Sequence, residues 1–309
     1  MVDSLLGAVE MGLLYAFMAL GVYITFRILD FPDLTVDGSF TTGGAIAAVM
    51  IVHGYSPWLA TLAALAGGMI AGLCTGLLHT KGKINGLLSG ILMMIALYSI
   101  NLRILGKPNV SVMGEDTLTS LVRPLYVMPV IVIIVKVLMD LFLRTDLGLA
   151  LRATGDNSRM IRSFGVNTDT TTVLGISLSN GLVALSGALI AQYSSFADAS
   201  MGIGMIVIGL ASVIIGEAIF GSGSVFRATL AAVLGSIVYR IVVALALRVE
   251  WLDASDLKLI TAIIVIIALV FPSIRRHYKQ RNSARKRTAV LAQQVLNSQR
   301  GGAGDAEAR

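Results

Sequence analysis

Nine apolar stretches restrict what this chain can fold into more than any other feature of its sequence. They cover residues 5–26, 36–52, 57–79, 84–104, 124–143, 173–195, 201–220, 225–247 and 257–272. A helix needs about 20 apolar residues to cross a hydrocarbon core, and in lipid it must satisfy its own backbone polar groups. Stretches of this length predict an all-α, polytopic membrane protein of about nine transmembrane segments (8–10). Composition excludes a soluble domain: 56% of residues are hydrophobic, 14% are charged and the mean hydropathy is +0.82. The second and seventh stretches have apolar cores shorter than a full crossing, and each follows a polar motif.

The first motif is Phe31-Pro-Asp-Leu-Thr-Val-Asp-Gly-Ser39, which sets Pro32, Asp33, Thr35, Asp37, Gly38 and Ser39 between two apolar runs. A backbone broken in such company exposes N–H and C=O groups, tolerated at membrane depth only when buried in protein or lining a wet cavity. A partial echo, Phe196-Ala-Asp-Ala-Ser200, aligns Phe196, Asp198 and Ser200 with Phe31, Asp33 and Thr35. Each motif opens a run of three apolar segments. Two related halves built around interrupted helices are therefore expected.

Charge sets the expected orientation. With the C-terminal tail in the cytoplasm, 17 of the 24 Lys and Arg residues fall on that side, and the N-terminus lies outside. Segments 2–4 and 7–9 then run in opposite senses, the inverted repeat in which transporters place substrate beside half-helix ends. Nine of the basic residues lie beyond Ser273, which accounts for the net charge of +6 without nucleic-acid binding. The expected division is a permease domain, 1–272, and a basic, partly disordered cytoplasmic tail, 273–309. Arg275–Arg287 fits a juxtamembrane anchor to anionic lipid.

Ionisable and polar groups inside the segments are candidate pathway or gate residues, because they are costly there unless paired. These are Asp33, Thr35, Asp37, Ser39, Asn85, Asn101, Asp198, Ser200 and Glu217. For Asp33 and Asp37 two readings stand: helix capping, or a direct role with substrate. Glu217 and Arg240 are expected to satisfy each other. Lys136 and Asp140, four apart on one face, are expected to pair as a structural element. Gly68, Gly72 and Gly76 form a small-residue stripe for close intramolecular packing. The lone Cys74 and scattered His53, His79 and His277 match no metal-site spacing. No Gly-x-x-x-x-Gly-Lys-Ser/Thr loop is present, so any ATP must be handled by another chain. The outer loop 105–123 is polar and long enough to dock a partner. No Ser/His, His/Glu or Asp/Asp catalytic spacing points to an intramembrane enzyme.

The largest polar insertion is 144–172. Within it Asp156–Ser163 predicts a short helix, capped by Asp156, Asn157 or Ser158 and stopped at Gly165. Met160, Ile161 and Phe164 supply its apolar face beside Arg159 and Arg162. Such a helix suits either another protein's groove or the bilayer headgroups. The run Leu151-Arg-Ala-Thr-Gly-Asp-Asn-Ser-Arg-Met-Ile-Arg-Ser-Phe-Gly-Val-Asn167 resembles the coupling-helix loop of the branched-chain amino-acid and ribose permease superfamily of ABC importers. Arg152, Ala153, Asn157, Gly165, Val166 and Asn167 match that pattern, and Ile161 replaces its usual alanine. With Phe31–Ser39 and Gly216-Glu-Ala-Ile-Phe-Gly-Ser-Gly-Ser224, the likeness narrows to permeases assigned to tryptophan/tyrosine uptake.

The resemblance implies a non-enzymatic permease in a prokaryotic cytoplasmic membrane, without a cofactor of its own. It implies cytoplasmic ABC ATPase subunits that carry ATP and Mg, an extracytoplasmic substrate-binding protein and a homodimer. ATPase coupling falls to Arg152, Asp156, Asn157, Arg159, Met160, Ile161, Phe164 and Gly165, and the solute is an amino acid, such as an aromatic one. The rival expectation is an ion-coupled carrier with Asp33 and Asp37 as its cation or proton site.

Overall fold

The computed structural model describes residues 2–121 and 124–246, with isolated helical positions at Leu259, Ala262, Ile263, Ile266 and Val270. Apart from those positions, the expected ninth segment and the basic tail lie outside the described residues. The chain divides into two compact units, Met1–Val265 and Ile266–Arg309, and every element named below belongs to the first.

Within residues 2–246 as described, ten helices and two short strands follow in order: α1 (Val2–Tyr23, extended by a π-helical turn, Ile24–Ile28), α2 (Thr35–Val52), α3 (Pro57–Thr80), α4 (Gly86–Leu105), β1 (Asn109–Ser111), α5 (Leu118–Leu121), α6 (Pro124–Phe142), α7 (Asp146–Ser163), α8 (Thr168–Ser194), β2 (Phe196–Asp198), α9 (Met205–Phe220) and α10 (Val225–Ala246). Seven of them are long and apolar enough to cross a membrane, and α9 is a shorter apolar helix. The apolar stretches therefore locate the spanning helices to within a few residues. Three boundaries differ. Asn167 accepts from the N–H groups of Asp169 and Thr170, so α8 starts at Thr168, five residues before its apolar run. Residues 199–204 form turns ending on Gly204 at φ +88°, so α9 starts at Met205 rather than 201. Thr145 accepts from Gly148 N–H and begins α7 ten residues before the predicted short helix.

The packing follows an internal symmetry. α1 packs on α10 as α8 packs on α3, α2 pairs with α3 as α9 pairs with α10, and α2 lies on α8 as α9 lies on α1. Each repeat is thus a long helix, a break and a short helix with its hairpin partner, so the units start one segment earlier than the expected 2–4 and 7–9, and each motif lies inside its unit instead of opening it. The ends of α1 and α3 share clefts with the starts of α4, α8 and α10, so the two repeats run in opposite senses. α8 forms the centre: 78% of its most apolar stretch is buried, against 22% for α4. The glycine stripe explains that closeness. Side chains at Gly72 or Gly76 would press on Ile176 O at 2.5 Å and Val173 Cα at 2.8 Å of α8.

The loop 105–123 is not free-standing. β1 pairs antiparallel with β2, Val110 opposite Ala197, and Leu118 N–H donates to the buried Gln192 Oε1 (3.0 Å). Phe196–Asp198 is therefore a strand, although the Asp198 carboxylate still accepts from Ser200 N–H as Asp33 does from Thr35 N–H.

Lys136 and Asp140 pair at 2.5 Å in the interface of α6 and α10. Thr229 Oγ1 donates to Asp140 (2.7 Å), and the Lys136 ammonium lies 3.1 Å from the centre of the Phe226 ring. Removing one partner strands a buried charge, at about 3–5 kcal/mol, whereas removing both need not. Lys136→Met alone should lower the thermal unfolding midpoint well below that of Lys136→Met with Asp140→Leu. Equal midpoints would show that the pair contributes nothing.

Candidate functional site

Two regions gather the candidate residues. The first is where the short helices of the two repeats begin. A helix start leaves four N–H groups without intrahelical partners and carries a partial positive charge. Asp37, in the first turn of α2, supplies the missing acceptor for α9: its carboxylate takes Gly204 N–H (2.9 Å) and Ile206 N–H (2.8 Å). Thr41 Oγ1 accepts from Gly202 N–H at 3.0 Å. A side chain at Gly202 would run into the backbone oxygen of Asp37, so the segment lies flush on α2.

Asp33 is fully buried one turn earlier and faces the other way. It accepts from Thr35 N–H (2.9 Å) and from Asn180 Nδ2 of α8 (2.6 Å). Thr35 Oγ1 lies 2.8 Å from Thr75 Oγ1 of α3. Both carboxylates accept N–H groups at helix starts, but Asp37 closes the start of α9 and not that of α2, the helix near Gly38 that it is expected to cap. Asn101 of α4 reaches the same place: its Nδ2 donates to Gly38 O (3.2 Å), and its Oδ1 is buried without a partner. Ser39 is buried, and its hydroxyl has no hydrogen-bond partner. Beside Asp37 and Asn101 opens a cavity of about 350 Å³, walled also by Gly38, Thr41, Met94, Ile95, Tyr98, Ala199 and Ile203.

The remaining pathway candidates lie elsewhere. Asn85 is exposed and caps α4, accepting from Leu87 N–H. Asp198 and Ser200 bond to each other beside the β1–β2 pair. Glu217 does not meet Arg240. It forms a two-pronged pair with Arg27 of the π-helical turn, at 2.8 and 2.5 Å, and Arg240 stacks on Tyr15, 3.8 Å from the ring centre. Helical rise explains the difference. Glu217 lies within a turn of the α9–α10 connection, and Arg240 is roughly 22 Å along α10 from its start.

The second region is α7. Two helical pieces meet at Asn157, whose backbone is extended (φ −155°, ψ 88°) and whose Oδ1 caps the second piece by accepting from Met160 N–H. Gly165, at φ +86°, ends it. Gly155 sits so close to the carbonyl of Ile28 that a side chain there would collide with it. Leu151 and Thr154 are buried, Ile161 is half-buried, and Met160 and Phe164 project at 51% and 74% exposure beside Arg159 and Arg162. Arg152 and Asp156 line a cleft of about 820 Å³ with Arg27, Asp30 and the Ser222–Val225 turn. On the other flank, Asp156, Asn157 and Arg159 line a cleft of about 600 Å³ with Pro32, His79 and Asn85.

A chain with inverted repeats, paired helix starts and a projecting two-piece helix invites comparison with transport proteins. The sequence profile of the family described as branched-chain amino acid transport system / permease component matches residues 4–270. The chain belongs to that family. The permease is 45% identical to the tyrosine transport system permease protein of Clostridioides difficile (strain R20291), across 91% of this chain and 95% of that one. It is 28% identical to the autoinducer 2 import system permease protein LsrC of Salmonella paratyphi B, across 83% and 75%. A chain of the solved structure of PsaBC from Streptococcus pneumoniae in complex with Fab superposes with a TM-score of 0.50 at 12% identity, covering 86% of the permease and 89% of that chain, a likeness of fold. The permease is thus a multi-pass membrane component of an ABC transport system.

Tyr98, Met94, Ile95 and Ile203 carry no polar or periodic signal that marks a cavity in sequence. Gly202 and Gly204 act through backbone N–H groups, which every residue but proline has. Replacing a capping acceptor by alanine costs about 0.5–2 kcal/mol. Asp37→Ala should lower the unfolding midpoint of the permease, and Asp37→Asn should recover part of the loss. Equal losses would show that the cap does not support the fold.

Proposed function

We propose that the permease is the translocation subunit of an ABC importer for an amino acid, with an aromatic one favoured, and that it is driven by ATP hydrolysis in partner subunits. The observation that carries the reading is the build of α7: one face seated on the π-helical end of α1, the other projecting Met160 and Phe164 between arginines. An exposed apolar pair of this kind suits the groove of another protein. ATP and Mg belong to that partner, a cytoplasmic ABC ATPase, and the positive-inside pattern supports its docking on the α7 end of the bundle. The N-terminus then lies outside, where an extracytoplasmic binding protein would deliver solute. Two ATPases require two α7 helices, which favours a homodimer. The name of the Clostridioides relative supports an aromatic amino acid as cargo.

The mechanical path is short. α7 pushes on Ile28 through Gly155, and Arg27 in the same π-helical turn grips Glu217 near the end of α9. Displacement of α7 is thereby passed to α1 and α9, and through α9 to the helix starts at Asp37. The pair is half-exposed at Arg27, so its value lies in its fixed fork geometry more than in its energy. An ion-coupled carrier has less support, since it gives the projecting Met160 and Phe164 nothing to dock.

Met160 and Phe164 are exposed, so their truncation spares the fold. Met160→Ala with Phe164→Ala should weaken ATPase binding by about thirtyfold or more, as loss of an interface anchor does, and should abolish uptake in vesicles. Retained co-purification with the ATPase and undiminished uptake would sink the docking assignment.

A further inference from the structure

The cavity beside Asp37 contains a feature that the fold does not use. Asn101 is fully buried, its amide nitrogen spent on Gly38 O, while its amide oxygen has no donor among the described residues. A buried acceptor left without a partner costs about 1–3 kcal/mol. The Asp37 carboxylate lines the same cavity. Its oxygens accept from Gly204 and Ile206 N–H, with Met205 N–H as a third donor, and a carboxylate offers about four lone-pair sites in all. Two acceptors with spare capacity therefore belong to the wall of the cavity, one of them anionic and the other buried just beneath its surface. Among its lining residues there is no Lys, Arg or His.

The rest of the wall is of another kind. Met94, Ile95 and Tyr98 of α4 face Ala199 and Ile203 of the turns before α9. A bare metal cation or proton would satisfy the acceptors and leave most of the roughly 350 Å³ empty. That volume lies in the range of small-molecule sites, which combine apolar walls with a few placed polar groups. An occupant that fits both ends carries several N–H donors and a positive charge on an apolar or aromatic body.

We propose that this cavity is a solute site in the permease, which holds an organic ammonium between the Asp37 carboxylate and the Asn101 amide oxygen. The apolar body of the solute lies against Met94, Tyr98 and Ile203. The assignment rests on the transport reading above and deepens it. The permease recognises the ammonium end of its cargo, and recognition is built on the cap that joins α2 to α9. A solute bound there touches both repeats, so relative movement of the two helix starts changes its grip.

The test uses the full-length permease with its ATPase, in nanodiscs of phosphatidylglycerol, which has no ammonium group. Binding of the twenty common L-amino acids is measured with tyramine and 3-(4-hydroxyphenyl)propionate as competitors. The first keeps the ammonium and lacks the carboxylate, and the second is the reverse. Saturable amino-acid binding displaced by tyramine and not by the propionate is expected. Asn101→Leu should weaken binding about tenfold to a hundredfold, as does loss of a hydrogen bond to a charged group. Ile203→Trp, at an exposed position where folding is not at risk, should fill the cavity and do the same while the ATPase stays bound. Absence of binding by the unmodified permease overturns the proposal, as do equal displacement by the propionate or unchanged affinity in both variants. Binding lost when phosphatidylethanolamine is added overturns it too, by giving the site to a lipid ammonium. ATP-dependent uptake by the unmodified complex is read separately: its absence overturns the transport reading, and its presence with any of those binding results overturns the site alone.

Discussion

A helix that begins inside a bundle instead of at its edge has N–H groups that neither water nor its own backbone can satisfy. The permease answers this across the repeat boundary. Asp37, which belongs to the start of α2, closes the start of α9 through Gly204 and Ile206, and Thr41 takes Gly202 N–H. One carboxylate thus stabilises a second helix's beginning and ties the two repeats together at their breaks. The cavity, the flush seating of Gly202 and the placing of Asn101 all follow from that junction.

Lipid supplies no hydrophobic drive between helices, so the remaining cohesion comes from close contact and interhelical hydrogen bonds. α8 shows both. Ser179 and Ser186 donate to the carbonyls of Gly21 and Leu14 on α1, and Ser177 donates to Met69 O on α3. On the symmetry-related side, Ser236 of α10 donates to Gly12 O on α1. Small residues at the crossings bring the backbones near enough for these bonds. Irregular backbone is confined to the joints of these helices, among them the π-helical turn of α1, the bend at Asn157 and the turns at 199–204. π-helical turns often mark functional positions, and this one meets α7 and α9 together.

Much of the site was legible in sequence and part was not. The motif Phe31–Ser39 announced a broken helix because proline, two carboxylates and glycine have no other place between apolar runs. Its echo at Phe196–Ser200 repeats one bond, the Asp198 carboxylate accepting Ser200 N–H, but not the broken helix expected of it, since Phe196–Asp198 pairs as a strand with residues 109–111. A three-residue strand depends on a partner some ninety residues away, which no local pattern encodes. The short helix at 156–163 was visible from its caps. The earlier half of α7 was not, because Asp146–Gly155 buries only Gly148, Leu151 and Thr154 and so lacks a full apolar stripe.

By itself the sequence determined the class of protein, the approximate places of the spanning helices described, the two breaks and the projecting helix. Those features depend on length, hydropathy and capping, which act over a few turns of chain. Tertiary structure alone decided the partners. It paired Glu217 with Arg27, set Arg240 against Tyr15, turned Asp33 toward Asn180 and buried an unpartnered acceptor of Asn101 in the wall of a cavity. An ionisable residue's need for a partner is written in its chemistry, but the identity of that partner depends on where along the bundle each helix brings its side chains level.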